Sequence, residues 1–95
     1  MKIVFRRQAK LDLLEARRWY EEREPGLGFA LRTEVEARLN DVQEYPEIHP
    51  RVDERIRRAA LGRFPYGIFY VVDGETIRVI AILHRARSPE IWKRR

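Results

Sequence analysis

Residues 66–84 read YGIFYVVDGETIRVIAILH, and the fold turns on this stretch. Tyr66 to Val72 and Thr76 to Leu83 are runs of β-branched and aromatic residues. They flank Asp73-Gly74, a dipeptide suited to a two-residue type I′ turn, which needs positive φ at both central positions. An antiparallel hairpin with Asp73-Gly74 at its tip is expected. Just upstream, Ile56 to Leu61 (IRRAAL) falls to a period near two, with Arg57, Ala59 and Leu61 on one face and Ile56, Arg58 and Ala60 on the other. Gly62 to Pro65 break that run, so three strands in a meander are predicted. Downstream, Ser88-Pro89-Glu90 is a helix start: a hydroxyl to cap, a proline whose missing N–H costs nothing there, and an acid for the dipole. A short helical turn carrying Ile91 and Trp92 should follow.

The first half of the chain keeps a different period. Lys2 to Phe5 (KIVF) reads as an opening strand. From Ala9 onward, Ala9, Leu13, Ala16 and Tyr20 recur at helical spacing, with Asp12, Glu15, Arg18 and Glu22 off the stripe. Pro25-Gly26-Leu27-Gly28 must end that helix near Arg23. Leu27, Leu31, Val35, Leu39 and Val42 then define a second helix, closed by Tyr45-Pro46. A turn this short forces the two helices antiparallel. Residues 46–54 (PEIHPRVDE) form a proline-fixed loop. The expected architecture is α+β: a helix hairpin packed on one face of a small antiparallel-rich sheet, in one domain spanning residues 1–95.

Composition narrows the function classes. The chain has no cysteine and only two histidines, His49 and His84, so neither a disulfide nor a metal centre is expected, and no cofactor motif is present. No apolar run approaches the roughly 18 residues that span a bilayer, and the expected location is the cytoplasm. The net charge of +5 is uneven. Residues 1–50 carry nine basic against ten acidic side chains, whereas residues 51–95 carry eleven against five. The excess is almost all arginine, whose planar donor fork suits phosphate and carboxylate.

The meander places this charge. Its first and third strands run in the same direction, so Arg63 and His84 fall at the same edge of the sheet. Arg57, Arg58, Arg63, Arg85, Arg87 and Lys93 are therefore expected to form a cationic rim beside Trp92. Such a rim either binds an anionic partner (RNA, DNA or an acidic protein segment) or is a solvated edge whose charges prevent strand-to-strand aggregation. His84 is the side chain closest to a general base in chemical type, and it serves equally as a strand-end hydrogen-bonding group. Trp19, Tyr20 and Phe29 cluster on the helix hairpin in greater number than one small core needs, which marks a partner-binding groove.

Four segments, WYEEREPGLG at 19–28, YPEIHPRV at 45–52, IRRAALGRFPYGIFYVVDG at 56–74 and ILHRARSPEIW at 82–92, resemble in order and spacing the RelE/ParE toxin superfamily, above all its ParE-like, or plasmid stabilisation, branch. The resemblance implies a growth-inhibiting toxin of a type II toxin–antitoxin pair, held inactive in a hetero-oligomer by an antitoxin that covers Trp19, Tyr20 and Phe29. ParE-like members inhibit DNA gyrase and are not nucleases. RelE-like members cut messenger RNA on the ribosome without a metal; on this alternative His84 would transfer the proton and Arg58 or Arg87 would hold the phosphate. The strand here lacks lysines, and position 92 is a tryptophan, which cannot transfer a proton. A degenerate relative without toxicity is the third possibility.

Overall fold

A computed structural model describes all residues 1–95. The elements follow one another as β1 (Lys2–Phe5), α1 (Arg7–Arg23), α2 (Leu27–Glu44), β2 (Ile56–Ala60), β3 (Tyr66–Asp73), β4 (Thr76–His84) and α3 (Pro89–Lys93). The four strands form one sheet in the order β1-β4-β3-β2. β2, β3 and β4 are the expected antiparallel meander, while β1 adds to the far edge parallel to β4, with Ile3 opposite Ile77 and Phe5 opposite Val79.

The helix hairpin is fixed by local chemistry. Gly26 takes φ +96° and opens α2, a left-handed geometry that glycine adopts without steric cost. No residue of α2 caps its own N-terminus. Instead the Glu21 carboxylate, in the last turn of α1, accepts the N–H groups of Gly26 and Gly28, each at 3.0 Å. A negative group thus satisfies two orphan donors at the positive end of α2. Gly28 lies against α1 so closely that an added Cβ would meet the Arg17 carbonyl oxygen at 2.8 Å. Arg6 supplies no side-chain cap to α1, in keeping with the poor capping sequence at that end.

The apolar stripes of both helices, Ala9 and Ala16 with Leu31, Val35, Leu39 and Val42, bury against Ala59, Leu61, Ile68, Tyr70, Ile77, Val79 and Ile82 of the sheet side. The opposite face of the sheet has its own small core, in which α3 presses Trp92 onto Phe69, Ile80, Ala81 and Leu83. Two features of the sheet depart from the expectation. The hairpin tip is Gly74-Glu75 rather than Asp73-Gly74: Asp73 pairs with Thr76, and Gly74 alone has positive φ, at +61°. Glycine at the first central position is the type II′ pattern, which leaves Asp73 free to remain in the strand.

The second departure is a β-bulge. Phe69 pairs with Ala81 but Tyr70 pairs with Val79, so Ile80 is an extra residue in β4. Alternation slips by one there. Ile77 and Val79 face the helices before the bulge and Ile82 after it, while Ile80, Ala81 and Leu83 face the other way. A bulge re-aims the side chains beyond it, and the side chain so re-aimed at the strand's end is His84.

Candidate functional site: two clefts at the end of the sheet

The end of β4 divides two clefts that share His84 and Arg87. On the helix side, a cleft of about 400 Å³ lies between α1 and β4 and is lined by Trp19, Tyr20, Tyr66, Glu15, His84 and Arg87 among others. Because the bulge has turned His84 to this side, its ring meets that of Tyr66 edge to face at 5.4 Å. Burial raises the pKa of the Tyr66 phenol, as do Tyr20 and Glu15, with Arg87 opposing them. Tyr20 bridges this group: its ring is 5.0 Å from Trp19, 4.9 Å from Phe64 and 6.1 Å from Tyr66.

His84 is itself held by the turn that follows. Its Nδ1 accepts the Ala86 N–H at 3.0 Å, and its carbonyl accepts the Arg87 N–H at 2.9 Å. Arg85 donates its main-chain N–H to the Pro65 carbonyl at 2.8 Å, which ties the turn to the start of β3. Ser88 then caps α3, its hydroxyl accepting from the Glu90 N–H at 3.3 Å. These bonds place Arg85 and Arg87 at the mouth of the second cleft.

That cleft opens on the other face of the sheet and measures about 340 Å³. Arg58, Arg85 and Arg87 line it over an apolar floor of Phe69, Leu83 and Trp92, and no carboxylate borders it. None of the three guanidinium groups is in an ion pair. The Arg58 guanidinium lies 5.8 Å from the centre of the Phe69 ring, within range of a cation–π contact.

The expected rim is thus gathered only in part. Arg57 turns the other way, donating to the carbonyl oxygens of Glu47 at 3.0 Å and His49 at 2.7 Å, so it fastens the 46–54 loop. Arg63 stands outside both clefts. Its N–H and that of Gly62 bind the Glu34 carboxylate on α2, and its guanidinium lies over Phe64 at 5.5 Å. Trp92 is only 7% exposed and stacks on Phe69 at 5.3 Å; it anchors α3 and offers no free ring face, while the Lys93 ammonium sits 5.8 Å from that ring. Tyr70 is fully buried with its hydroxyl donated to the Pro46 carbonyl at 2.7 Å, and burial pushes its pKa up to about 12. His49 packs edge to face on Tyr70, and desolvation lowers its pKa, aided by Arg38 and Arg57 and opposed by Asp41.

On the helix hairpin the three aromatic candidates separate. Trp19 is 49% exposed, with the Arg23 guanidinium 3.3 Å from its ring centre, and Phe29 is 64% exposed. Tyr20 is largely committed to the aromatic cluster just described. Leu11 and Leu14 extend the exposed apolar surface of α1 next to Trp19.

One structural arrangement has no counterpart in the sequence pattern. Beyond the end of β1 the edge of β4 is open, and the Asp12 carboxylate accepts the Ile82 N–H there at 3.0 Å. The Arg95 guanidinium forms a two-pronged pair with the same carboxylate and also reaches the Ile80 carbonyl, while Arg6 donates to the Arg95 carbonyl oxygen. No three histidine, aspartate or glutamate side chains converge to hold a metal ion. No helix is long and apolar enough to cross a membrane.

A family model described as the ParE toxin of the type II toxin–antitoxin system, parDE, matches residues 3–89. The chain belongs to the ParE toxin family. Among solved structures, a chain of the chromosomal ParDE TA system from P. aeruginosa is similar, with a TM-score of 0.77 and 20% sequence identity over 88% of this chain and 95% of that one. At that identity the likeness shows the fold alone. No curated protein matches the sequence. The residues of this ParE family member that the family model matches, 3–89, take in the helix hairpin, nearly all of the four-stranded sheet and the turn that carries His84, Arg85 and Arg87.

Proposed function

We propose that this ParE family toxin works by occupying a protein target, DNA gyrase, and that a cognate antitoxin restrains it by covering the helix hairpin around Trp19 and Phe29. The observation that carries this reading is the bond from the Ala86 N–H to His84 Nδ1. In a neutral imidazole one nitrogen is the acceptor and the other carries the proton. Here the acceptor is committed to the turn, which leaves Nε2 as the protonated nitrogen. A general base must offer its lone pair to the substrate, and protonating Nδ1 would set two donors against each other. This supports a turn-stabilising role for His84. Trp92 of α3 is buried and cannot transfer a proton, Tyr70 is buried on the other face, and Tyr66 lines only the helix-side cleft, so no tyrosine borders the second cleft. Membership in the ParE family supports the choice of gyrase, and the exposed apolar surface of α1 and α2 supports the antitoxin site.

A second reading has one observation in its favour: His84, Arg58 and Arg87 do line a common cleft, as an RNA endonuclease of the RelE type would require. Purified gyrase and translating ribosomes separate the two. Inhibition of supercoiling without transcript cleavage supports the binding toxin. Transcript cleavage that disappears in His84→Ala, with gyrase unaffected, reverses the ranking. Normal growth on expression without antitoxin, at confirmed protein levels, would count against both.

A further inference from the structure

We propose that the cleft on the open face of the sheet is a docking site for an acidic segment of a partner protein. This goes beyond the toxin reading, because it concerns the face opposite the helix hairpin and holds whichever macromolecule the toxin inhibits. Arg58 lines the cleft from β2, and Arg85 and Arg87 line it from the turn after β4, so three arginines border it from two separate parts of the chain. Among the arginines elsewhere, Arg32 pairs with Glu36 and Arg38 with Asp41. These three have no such partner, and no acidic side chain lines the cleft between them.

The arrangement is also shaped. Gly67 lies beneath Arg58, and a Cβ at that position would meet the Arg58 Nε at 2.6 Å and its Cζ at 2.9 Å. The missing side chain lets the guanidinium lie along the sheet toward Phe69 instead of standing out into water. Floor and rim then match an acidic peptide with interspersed apolar residues: carboxylates meet planar donor forks, which bind them through paired hydrogen bonds, and an apolar side chain meets Leu83 and the edge of the Phe69–Trp92 stack. A single-stranded nucleic acid fits less well. Such binding draws much of its energy from bases stacked on free aromatic faces, and Phe69 and Trp92 are 5% and 7% exposed and stacked on each other. At about 340 Å³ the cleft stands at the lower end of the range of about 300–1,000 Å³ for ligand sites, room for a short segment and not for a folded domain.

The test is calorimetric titration of the full chain with two probes, a short synthetic peptide alternating glutamate and leucine, and an oligothymidylate of equal charge. The peptide should bind in a salt-dependent manner. Arg58→Gln and Arg87→Gln should each weaken it about tenfold, the loss expected for one charge-assisted hydrogen bond. Arg32→Gln, on the far side of the domain, should leave it unchanged. Gly67→Ala keeps every arginine but displaces Arg58 and should weaken binding several-fold, with circular dichroism showing an intact fold. Absence of peptide binding, binding indifferent to Arg58, Arg87 and Gly67, or displacement of the peptide by oligothymidylate through the same arginines would each overturn the proposal.

Discussion

The indole of Trp92 lies nearly parallel to the ring of Phe69, tilted by 20° with 5.3 Å between centres, on the face of the sheet that the helix hairpin leaves bare. A five-residue helix has little stability of its own, so this stack is what holds α3, and with it the turn of Arg85 and Arg87, against the sheet. Trp92→Ala should cost about 3 kcal/mol, as large aromatic deletions from cores do, and urea denaturation will measure it. A stability change near zero would mean that Trp92 is not the anchor described.

Asp12 joins helix to sheet across 70 residues of sequence. Its side chain is 9% exposed and that of its partner Arg95 15%. Removing the carboxylate strands the Ile82 N–H and leaves a partly buried guanidinium unpaired, so Asp12→Ala should lower stability by about 2–3 kcal/mol. Asp12→Asn keeps an acceptor for Ile82 and should lose less. Equal losses for the two substitutions would show that the Ile82 bond contributes nothing.

The Tyr70 phenol carries a sign that alkaline titration can read. Burial stabilises its neutral form in the folded protein, pushing the pKa up to about 12 against an ordinary value of 10. The folded state then holds this proton where the unfolded state has released it. The stabilisation is complete below pH 10 and is lost as pH rises toward 12. Ultraviolet titration should show one of the four tyrosines ionising last, and Tyr70→Phe should abolish that step.

Exposure separates the aromatics of the helix hairpin. Phe29→Ala and Trp19→Ala remove half-exposed or largely exposed rings and should change stability by less than about 1 kcal/mol, yet weaken antitoxin binding at least tenfold. Tyr20→Ala, which opens the cluster with Phe64 and Tyr66, should destabilise the fold instead. Hydrogen exchange in the toxin–antitoxin complex gives the independent check: protection of the segments around Trp19 and Phe29 is the expected pattern.

What the sequence made legible follows from periodicity. Ala9, Leu13, Ala16 and Tyr20, and Leu31, Val35, Leu39 and Val42, report helices because polar residues separate them at regular intervals. The bulge at Ile80 left no such trace. In Val79-Ile80-Ala81-Ile82-Leu83 every residue is apolar and both faces of the strand are covered, so either phase reads alike and the side on which His84 emerges is hidden. Asp12 looked like a solvent-facing acid off the helical stripe, since Ile82 and Arg95 are reachable only through the tertiary fold. Arg57 and Arg58 could be assigned to opposite faces by alternation, but that Arg57 binds the loop carbonyls of Glu47 and His49 depends on how residues 46–54 return to the sheet. Gly67 falls inside the strand predicted from Tyr66 to Val72, and nothing in its sequence neighbours shows that it leaves room for Arg58.

If the toxin acts by binding and His84 serves only the turn, growth arrest should survive loss of the imidazole. Growth arrest on expression of His84→Ala, without antitoxin and at protein levels matched to the parent chain, tests it most directly. Arrest within a few-fold of the parent is the predicted result. Full loss of arrest by a variant whose fold is intact, accompanied by loss of transcript cleavage, would contradict it.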